Sequence, residues 1–493
     1  MPTHAAVTSG GTASGAKAHL TPVEVPVLDP QRLRSVLTST ALERFEHTLS
    51  TGRELLRGRT FWNVNSTADG GGVAEMLRSL VGYARGGGVD ARWTVIGGDP
   101  DFFRITKCLH NRLHGHGGRG GPLGDSEHAT YARCTQAHAE LLAARVSPTD
   151  VVLLHDPQTA GMIPRLLDTG ATVIWRAHIG TDFPNDLVRE AWRFLTPYVA
   201  QAAACVFSRP SYAWDGLDRS KVAVIAPSID AFSPKNQAMS FTTVVAVLRA
   251  AGLAADGNRP RPRASFQRLD GSVGRVRRRA QLVEGRPLRL DVPLLAQVSR
   301  WDRLKDPVGV LSAFAHHTHC DGEEAHLLLA GPDVTAVADD PEGRGVFDEV
   351  QSTLSGLPSG VRDRVHLALL PMADADENAA IVNAIQRRAD VVAQKSVAEG
   401  FGLTVSEAMW KGRPVVASAV GGIRDQIDHG LTGVLVEPSD LEAFGESVSE
   451  LLNDPHRADR IGEAAQMRVR EMFLGPRHLG DYLDLLERVE AQA

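Results

Sequence analysis

Short apolar, β-branched runs alternate with longer helical patterns along most of this chain, in two sets separated by an arginine-rich stretch. That alternation is the mark of βαβ units, in which helices cover both faces of a parallel sheet. The first set predicts strands at 61–66, 93–98, 151–155, 172–178, 205–208 and 222–229. The second predicts them at 294–299, 326–330, 365–370, 390–394, 414–418 and 433–436. A single (β/α)8 barrel needs evenly spaced units, and the interruption spoils that spacing. The pattern therefore predicts an α/β protein of two open sheets in facing Rossmann-like domains, at 21–235 and 291–475. A leader (1–20), an Arg-rich linker or insertion (236–290) and a C-terminal helix (476–493) complete the division. That last helix either closes the second domain or crosses back to the first.

Bulk properties narrow the function classes. A chain of 493 residues, 43% hydrophobic, exceeds one core and has enough apolar material for two. The net charge of −6 gives no global field favouring nucleic acid or an anionic membrane. Residues 258–289 carry many arginines, among them Arg259, Arg261, Arg268 and Arg278. With little aromatic interleaving they read as a solvated excursion rather than an anion site or subunit contact. Cys108, Cys134, Cys205 and Cys320 lie far apart, which favours neither a zinc site nor a disulfide framework and fits a reducing compartment. The leader lacks the apolar core of a signal peptide, and no run of ~18 apolar residues predicts a membrane span. The expectation is a cytoplasmic protein with no nucleic-acid or membrane partner; a homodimer is compatible with the sequence.

The strongest constellation is in the second half. The strand at 294–299 runs into Arg300, and Lys305 follows in Ser-Arg-Trp-Asp-Arg-Leu-Lys-Asp. Ligands of open parallel sheets sit beyond the carboxyl ends of the strands, where two cations suit a diphosphate. Alone, such a pair reads equally as a surface feature. After the strand at 390–394 comes Glu399-Gly400-Phe401-Gly402-Leu403-Thr404-Val-Ser-Glu407. Its glycines permit close backbone approach, and Thr404 reads as the N-cap of a helix whose amides face an anion. Glu407, three residues after Thr404, could instead complete a capping box.

The first half supplies a facing element, a strand leading into Gly70, Gly71 and Gly72 and then an apolar-striped helix. This forms an anion cradle or a plain glycine turn, and it matches neither the dinucleotide fingerprint nor the phosphate loop. His155, followed by Asp156, and His178 end strands at the same rim. No serine or cysteine elbow accompanies them, and no ligand spacing predicts a catalytic metal.

Together the segments Asn65-Ser-Thr, Gly70-Gly-Gly-Val-Ala-Glu-Met, His155-Asp-Pro-Gln, Trp175-Arg-Ala-His-Ile, Pro227-Ser-Ile-Asp, Asp340-Pro-Glu-Gly and Glu399 to Gly412 resemble glycosyltransferase family 4. These are retaining enzymes of GT-B architecture, and the likeness is to their trehalose synthase and trehalose phosphorylase branch. The resemblance spans roughly residues 60 to 475. It implies a donor site in the cleft between the domains and transfer of glucose from a nucleoside diphosphate glucose to glucose, forming α,α-trehalose with retention. Arg300 and Lys305 would bind the diphosphate, Glu399 with the amides of Gly400 to Leu403 the donor glucose, and Glu407 the ribose. His178 would meet the donor sugar, and the Gly70–Gly72 loop would approach the diphosphate from the other domain. His155, Asp156 and Asp182 are the acceptor-side residues, and backbone around 369–372 would read the base. No tightly bound cofactor or essential metal is expected. The sequence departs from the pattern after His-Ile, where an acid is common, by having Gly180 and then Asp182 two places on. A phosphorylase, a transferase to another acceptor and a non-catalytic nucleotide-sugar sensor remain the rival readings.

Overall fold

The computed structural model describes residues 18–68, 71–117, 121–254, 263–318, 325–335 and 342–492. The leader up to residue 17, Gly70, Arg259, Arg261, Cys320 and Asp340 lie outside them. The first sheet contains β1 (Leu20–Pro22), β2 (Thr60–Asn65), β3 (Asp90–Ile96), β4 (Val151–His155), β5 (Thr172–Ala177), β6 (Ala204–Phe207) and β7 (Val222–Val224). A two-stranded ribbon, β8 (Ser265–Gln267) and β9 (Val273–Arg275), follows. The second sheet holds β10 (Gln281–Val283), β11 (Leu294–Val298), β12 (His326–Pro332), β13 (Val365–Leu370), β14 (Val391–Gln394), β15 (Val415–Ser418) and β16 (Val434–Val436).

The sheet orders are β1-β3-β2-β4-β5-β6-β7 and β10-β13-β12-β11-β14-β15-β16. In each, every pairing is parallel except that of one edge strand: β1 on β3 and β10 on β13. These two antiparallel edges are the strands that the alternation did not predict. Every residue of β4, β11 and β13 is buried, as parallel strands covered on both faces must be. The strand order reverses between β2 and β4 in the first sheet and between β11 and β14 in the second. Crevices open at such switch points, beyond the carboxyl ends of the strands.

One expectation is refined here, and one open alternative is decided. Where it is described, the Arg-rich stretch keeps most of its arginines exposed, as expected, but it is not a plain linker. It contributes the ribbon and the edge strand β10, and two of its arginines, Arg268 and Arg278, meet acids at the start of the helix Ala375–Arg388. Arg268 bonds Asp374 at 2.6 Å and Asp376 at 3.0 Å, and Arg278 pairs with Glu377. Carboxylates in a helix's first turn also complement its dipole, so these arginines are drawn to a surface already acidic for local reasons.

The C-terminal helix, Gly475–Glu490, crosses back to the first domain. Its Tyr482, Leu485, Leu486 and Val489 share a core with Val151, Leu153, Ile174 and Val206. Arg176 of β5, fully buried, donates to Tyr482 Oη at 2.6 Å, His478 Nε2 at 2.9 Å and the Ile225 carbonyl at 3.0 Å. The Trp-Arg-Ala-His segment thus carries one residue that secures the helix and another, His178, that reaches the cleft.

Candidate active site

The cation pair and the glutamate loop are built from the ends of β11 and β14. After β11 the chain turns into a short helix, Arg303–Lys305, anchored from both sides. Gln297 Nε2 donates to the Lys305 carbonyl at 2.8 Å, and the Val397 amide donates to the Leu304 carbonyl at 2.8 Å. Asp306 then adopts a left-handed conformation at φ 46° and caps the next helix through the Gly309 amide at 2.9 Å. Left-handed backbone at a residue other than glycine is strained, and the strain persists because buried Lys395 grips the Asp306 carboxylate. Lys305 is thereby aimed at β14, where its ammonium pairs directly with the Glu399 carboxylate. Arg300, more exposed, lies beside Asp302 at 3.1 Å.

The glutamate loop has its carbonyls tied down and its amides left open. Tyr212, from the first domain, donates its hydroxyl to the carbonyls of Glu399 (3.0 Å) and Gly400 (2.8 Å). Gln426 Nε2 bonds the carbonyls of Phe401 and Gly402. Among the described residues, the amides of Gly400, Phe401, Gly402, Leu403 and Thr404 have no acceptor. Those amides, at the N-terminus of the helix Leu403–Trp410, favour negative charge.

Thr404 is not the N-cap. Gly402 is, in a left-handed conformation at φ 83°, with no side-chain cap. The helix therefore starts before Thr404, and the capping-box alternative for Glu407 falls away. Glu407 instead lies buried, its carboxylate 3.6 Å from Lys235.

The facing wall comes from β2, β4 and β5. Gly71, at φ 90°, caps the helix Gly72–Gly86. A side chain at Gly72 would come within 2.5 Å of Leu403, so the two helix N-termini confront each other across the cleft. His178 joins them, since a Cβ on Gly400 would lie 3.1 Å from its carbonyl oxygen.

His178 is held from behind. Its Nε2 lies 3.0 Å from His155 Nδ1, and His155 Nε2 lies 3.4 Å from Asn63 Oδ1. Asn63 Oδ1 can only accept, so His155 carries its proton on Nε2 and accepts from His178. That leaves His178 Nδ1 as an acceptor for a hydroxyl. Burial holds both rings neutral, His155 down to about 3 and His178 well below its ordinary value. Asp156, at φ 64°, accepts the His178 amide at 2.8 Å, and burial raises its carboxyl to about 7. His155 and Asp156 are thus buried behind His178, each bonded to it.

Asp182 is engaged by Arg209 (2.8 Å) and Ser211 (2.7 Å), and Arg209 continues to Asp425 of the second domain at 3.0 Å. Gly180 also finds its reason, because any side chain there would collide with the Tyr212 ring. The departure from the family pattern makes room for the tyrosine that holds the glutamate loop. Tyr212→Phe is expected to lower kcat about tenfold, because the Glu399 carbonyl loses its donor and the Gly400 carbonyl keeps only the Gly422 amide. Steady-state rates beside a melting curve check this; an unchanged kcat would show that the loop holds itself.

Four residues of the cleft escaped the sequence reading: Tyr212, Lys235, His110 and His114. The histidines stand at i and i+4 near the end of the helix Pro100–Leu113, rings 5.1 Å apart. Burial lowers His110 to about 3 and His114 to about 4. Arg300 acts on the former, and Glu399 and Lys305 on the latter. Their spacing was a legible signal that the helix presents both to one surface.

Two Rossmann-type sheets with their switch points opposed, one carrying cations and open amides and the other a glycine-capped helix and neutral histidines, define a GT-B glycosyltransferase. Residues 63–214 match the trehalose synthase N-terminal domain family, and residues 282–468 match glycosyl transferases group 1. The chain is 36% identical to the trehalose synthase of Pyrococcus horikoshii, covering 88% of this chain and 91% of that one. It is 35% identical to that of Rubrobacter xylanophilus at the same coverages. A trehalose phosphorylase of Pleurotus sajor-caju is 25% identical over 82% of this chain and 54% of its own. The fold also matches a trehalose-phosphate synthase of Burkholderia xenovorans in complex with glucose 6-phosphate (TM-score 0.63, 13% identity, 87% of this chain, 100% of that one). Anabaena HepE in complex with UDP and glucose matches with a TM-score of 0.57 (14% identity, 87% and 99%). The chain belongs to the trehalose synthase family of glycosyltransferases, and it is a hexosyltransferase.

Proposed function

We propose that this enzyme transfers glucose from a nucleoside diphosphate glucose to free glucose, forming α,α-trehalose with retention. The observation that carries the reading is the Lys305–Glu399 pair beside five unpartnered amides at the second sheet's switch point. Cleaving a sugar–diphosphate bond builds positive charge at the anomeric carbon and negative charge on the leaving phosphate. Lys305, Arg300 and the amides of Gly400 to Thr404 are placed to stabilise that phosphate, and preorganised groups of this kind lower the barrier without reorganisation. Glu399 accepts hydroxyls of the donor glucose, Glu407 those of the ribose, and His178 Nδ1 a hydroxyl near the reacting face. The helix at Gly72 brings its positive end to the diphosphate. Acceptor attack on the face that the leaving group departs, with the phosphate oxygen taking the acceptor's proton, gives retention.

A donor screen tests the reading. Uridine, adenosine and guanosine diphosphate glucose are each incubated with glucose, and the disaccharide is identified by its anomeric proton couplings and by trehalase digestion. At least one donor is expected to yield α,α-trehalose and the free nucleoside diphosphate. The likeness to a trehalose phosphorylase supports the second reading, reversible phosphorolysis. Trehalose with phosphate, and separately with a nucleoside diphosphate, divides the two; glucose 1-phosphate formed with phosphate alone would sink the synthase reading.

A further inference from the structure

The connection between the sheets is fastened to the second domain. Trp410 Nε1 donates to the Asn236 carbonyl (3.2 Å) and Lys411 Nζ to Asn236 Oδ1 (2.9 Å). Asn383 Nδ2 donates to the carbonyls of Pro234 (3.0 Å) and Gln237 (2.9 Å). Arg387 donates to those of Asn236 (3.1 Å) and Gln237 (2.9 Å). Lys235, within this segment, is therefore fixed relative to the helix Leu403–Trp410. Its ammonium bonds both carboxylate oxygens of Glu75, at 2.6 and 2.7 Å, and stands 3.6 Å from Glu407 Oε1. Glu75 belongs to the glycine-capped helix of the first domain, so the contact crosses the cleft.

The Glu407 side chain is only 5% exposed. A carboxylate can accept from both hydroxyls of a ribose, whereas a carboxylic acid spends one oxygen as a donor. The ionisation of Glu407 therefore matters to any ribose it holds. Burial pushes its proton affinity up and Glu75 adds to the push, while Lys235 and Lys411 oppose them. Lys411 is a poor counter-ion, because burial draws it well below its ordinary value and Arg387 and Lys235 add to that. Burial also lowers Lys235, but Glu407 and Glu75 outweigh it and hold this lysine charged. Lys235 is the cation on which Glu407 depends.

We propose that Lys235 is the positioning residue of the nucleotide subsite, fixing the Glu407 carboxylate for the ribose hydroxyls and tying that subsite to Glu75 across the cleft. The inference rests on the donor reading above. It predicts opposite effects from the two charged neighbours of Glu407, Lys235 and Glu75. In Lys235→Gln, the donor KM rises about tenfold at neutral pH, rises further as pH falls and recovers as pH increases, while kcat falls less than about threefold. In Glu75→Gln, a negative neighbour is lost, and the acid limb of the KM profile moves to lower pH. Lys235→Arg keeps the charge and restores the wild-type profile.

The test measures donor KM against pH for wild type and these variants, using the nucleoside diphosphate glucose that the donor screen identifies and its 2′-deoxyribose analogue. Wild type is expected to discriminate against the deoxy donor, and Lys235→Gln to lose most of that discrimination. Equal use of both donors by wild type would overturn the ribose role of Glu407 and the inference with it. Discrimination by wild type, with a Lys235→Gln profile matching it, would overturn the inference alone. If Lys235→Gln does not fold, Glu75→Gln decides: an unmoved acid limb overturns the proposal.

Discussion

Lys305→Ala is expected to lower turnover by ~10²–10³, the usual cost of removing one preorganised group from a developing charge. Glu399→Gln is expected to abolish it, because the change keeps the side chain's shape while deleting the charge that Lys305 meets. Neither should unfold the protein. Both side chains are mostly buried, 16% and 13% exposed, so removing one partner leaves a poorly solvated charge and costs some stability without abolishing the fold. Melting temperatures lowered by no more than about 10 °C, with one cooperative transition, are therefore expected. Initial rates of disaccharide formation, measured beside calorimetric melting curves, check both parts. Near-normal turnover in either variant would refute the role given to that residue.

The second large effect is expected from a residue with no side chain. Gly421 adopts φ 46°, and a Cβ there would overlap the carbonyl oxygen of Glu399 and come within 2.7 Å of the Tyr212 hydroxyl. At the next position, a Cβ on Gly422 would come within 2.7 Å of the Phe401 Cα. These are backbone obstacles or anchored groups, so the glutamate loop itself must move. Gly421→Ala should therefore lower kcat/KM by ~10², the scale of a misplacement of about 1 Å in a reacting site. Gly430→Ala is the control. Gly430 also has positive φ, at 80°, but nothing stands within 4 Å of its Cβ position, so the change should cost about 1 kcal/mol of stability and leave kinetics intact. Equal kinetic losses in both variants would mean that backbone strain, not the clash with Glu399, governs the result.

The predicted strands all occur, with ends shifted by a residue or two in most and with β7 stopping at Val224. They were legible because a buried parallel strand needs an unbroken apolar run and a covering helix needs its stripe, both local patterns. β1 (Leu-Thr-Pro) and β10 (Gln-Leu-Val) were missed because polar residues and a proline break their apolar run, whereas β7 and β16, equally short edge strands, are Val-Ala-Val and Val-Leu-Val. The Thr404 N-cap failed for the opposite reason. Thr-x-x-Glu is a sound local signal, but the left-handed Gly402 opens the helix before Thr404, and Glu407 is turned toward a lysine of another segment.

The sequence by itself determined the two-sheet architecture and the cluster of charged residues after β11 and β14, where Arg300, Lys305, Glu399 and Glu407 stand. Strand ends define where ligands go in such sheets, and those residues lie beside their own strands. Only the tertiary structure decided what completes the cleft. Tyr212 meets Glu399 across 187 residues of chain, and Lys235 meets Glu75 across 160. His155 recedes behind His178, and Asp182 goes to Arg209. No spacing records such pairs: Tyr212–Glu399 and Lys235–Glu75 exist only where the two domains meet, and His155–His178 and Asp182–Arg209 only where the ends of neighbouring strands of the first sheet lie side by side.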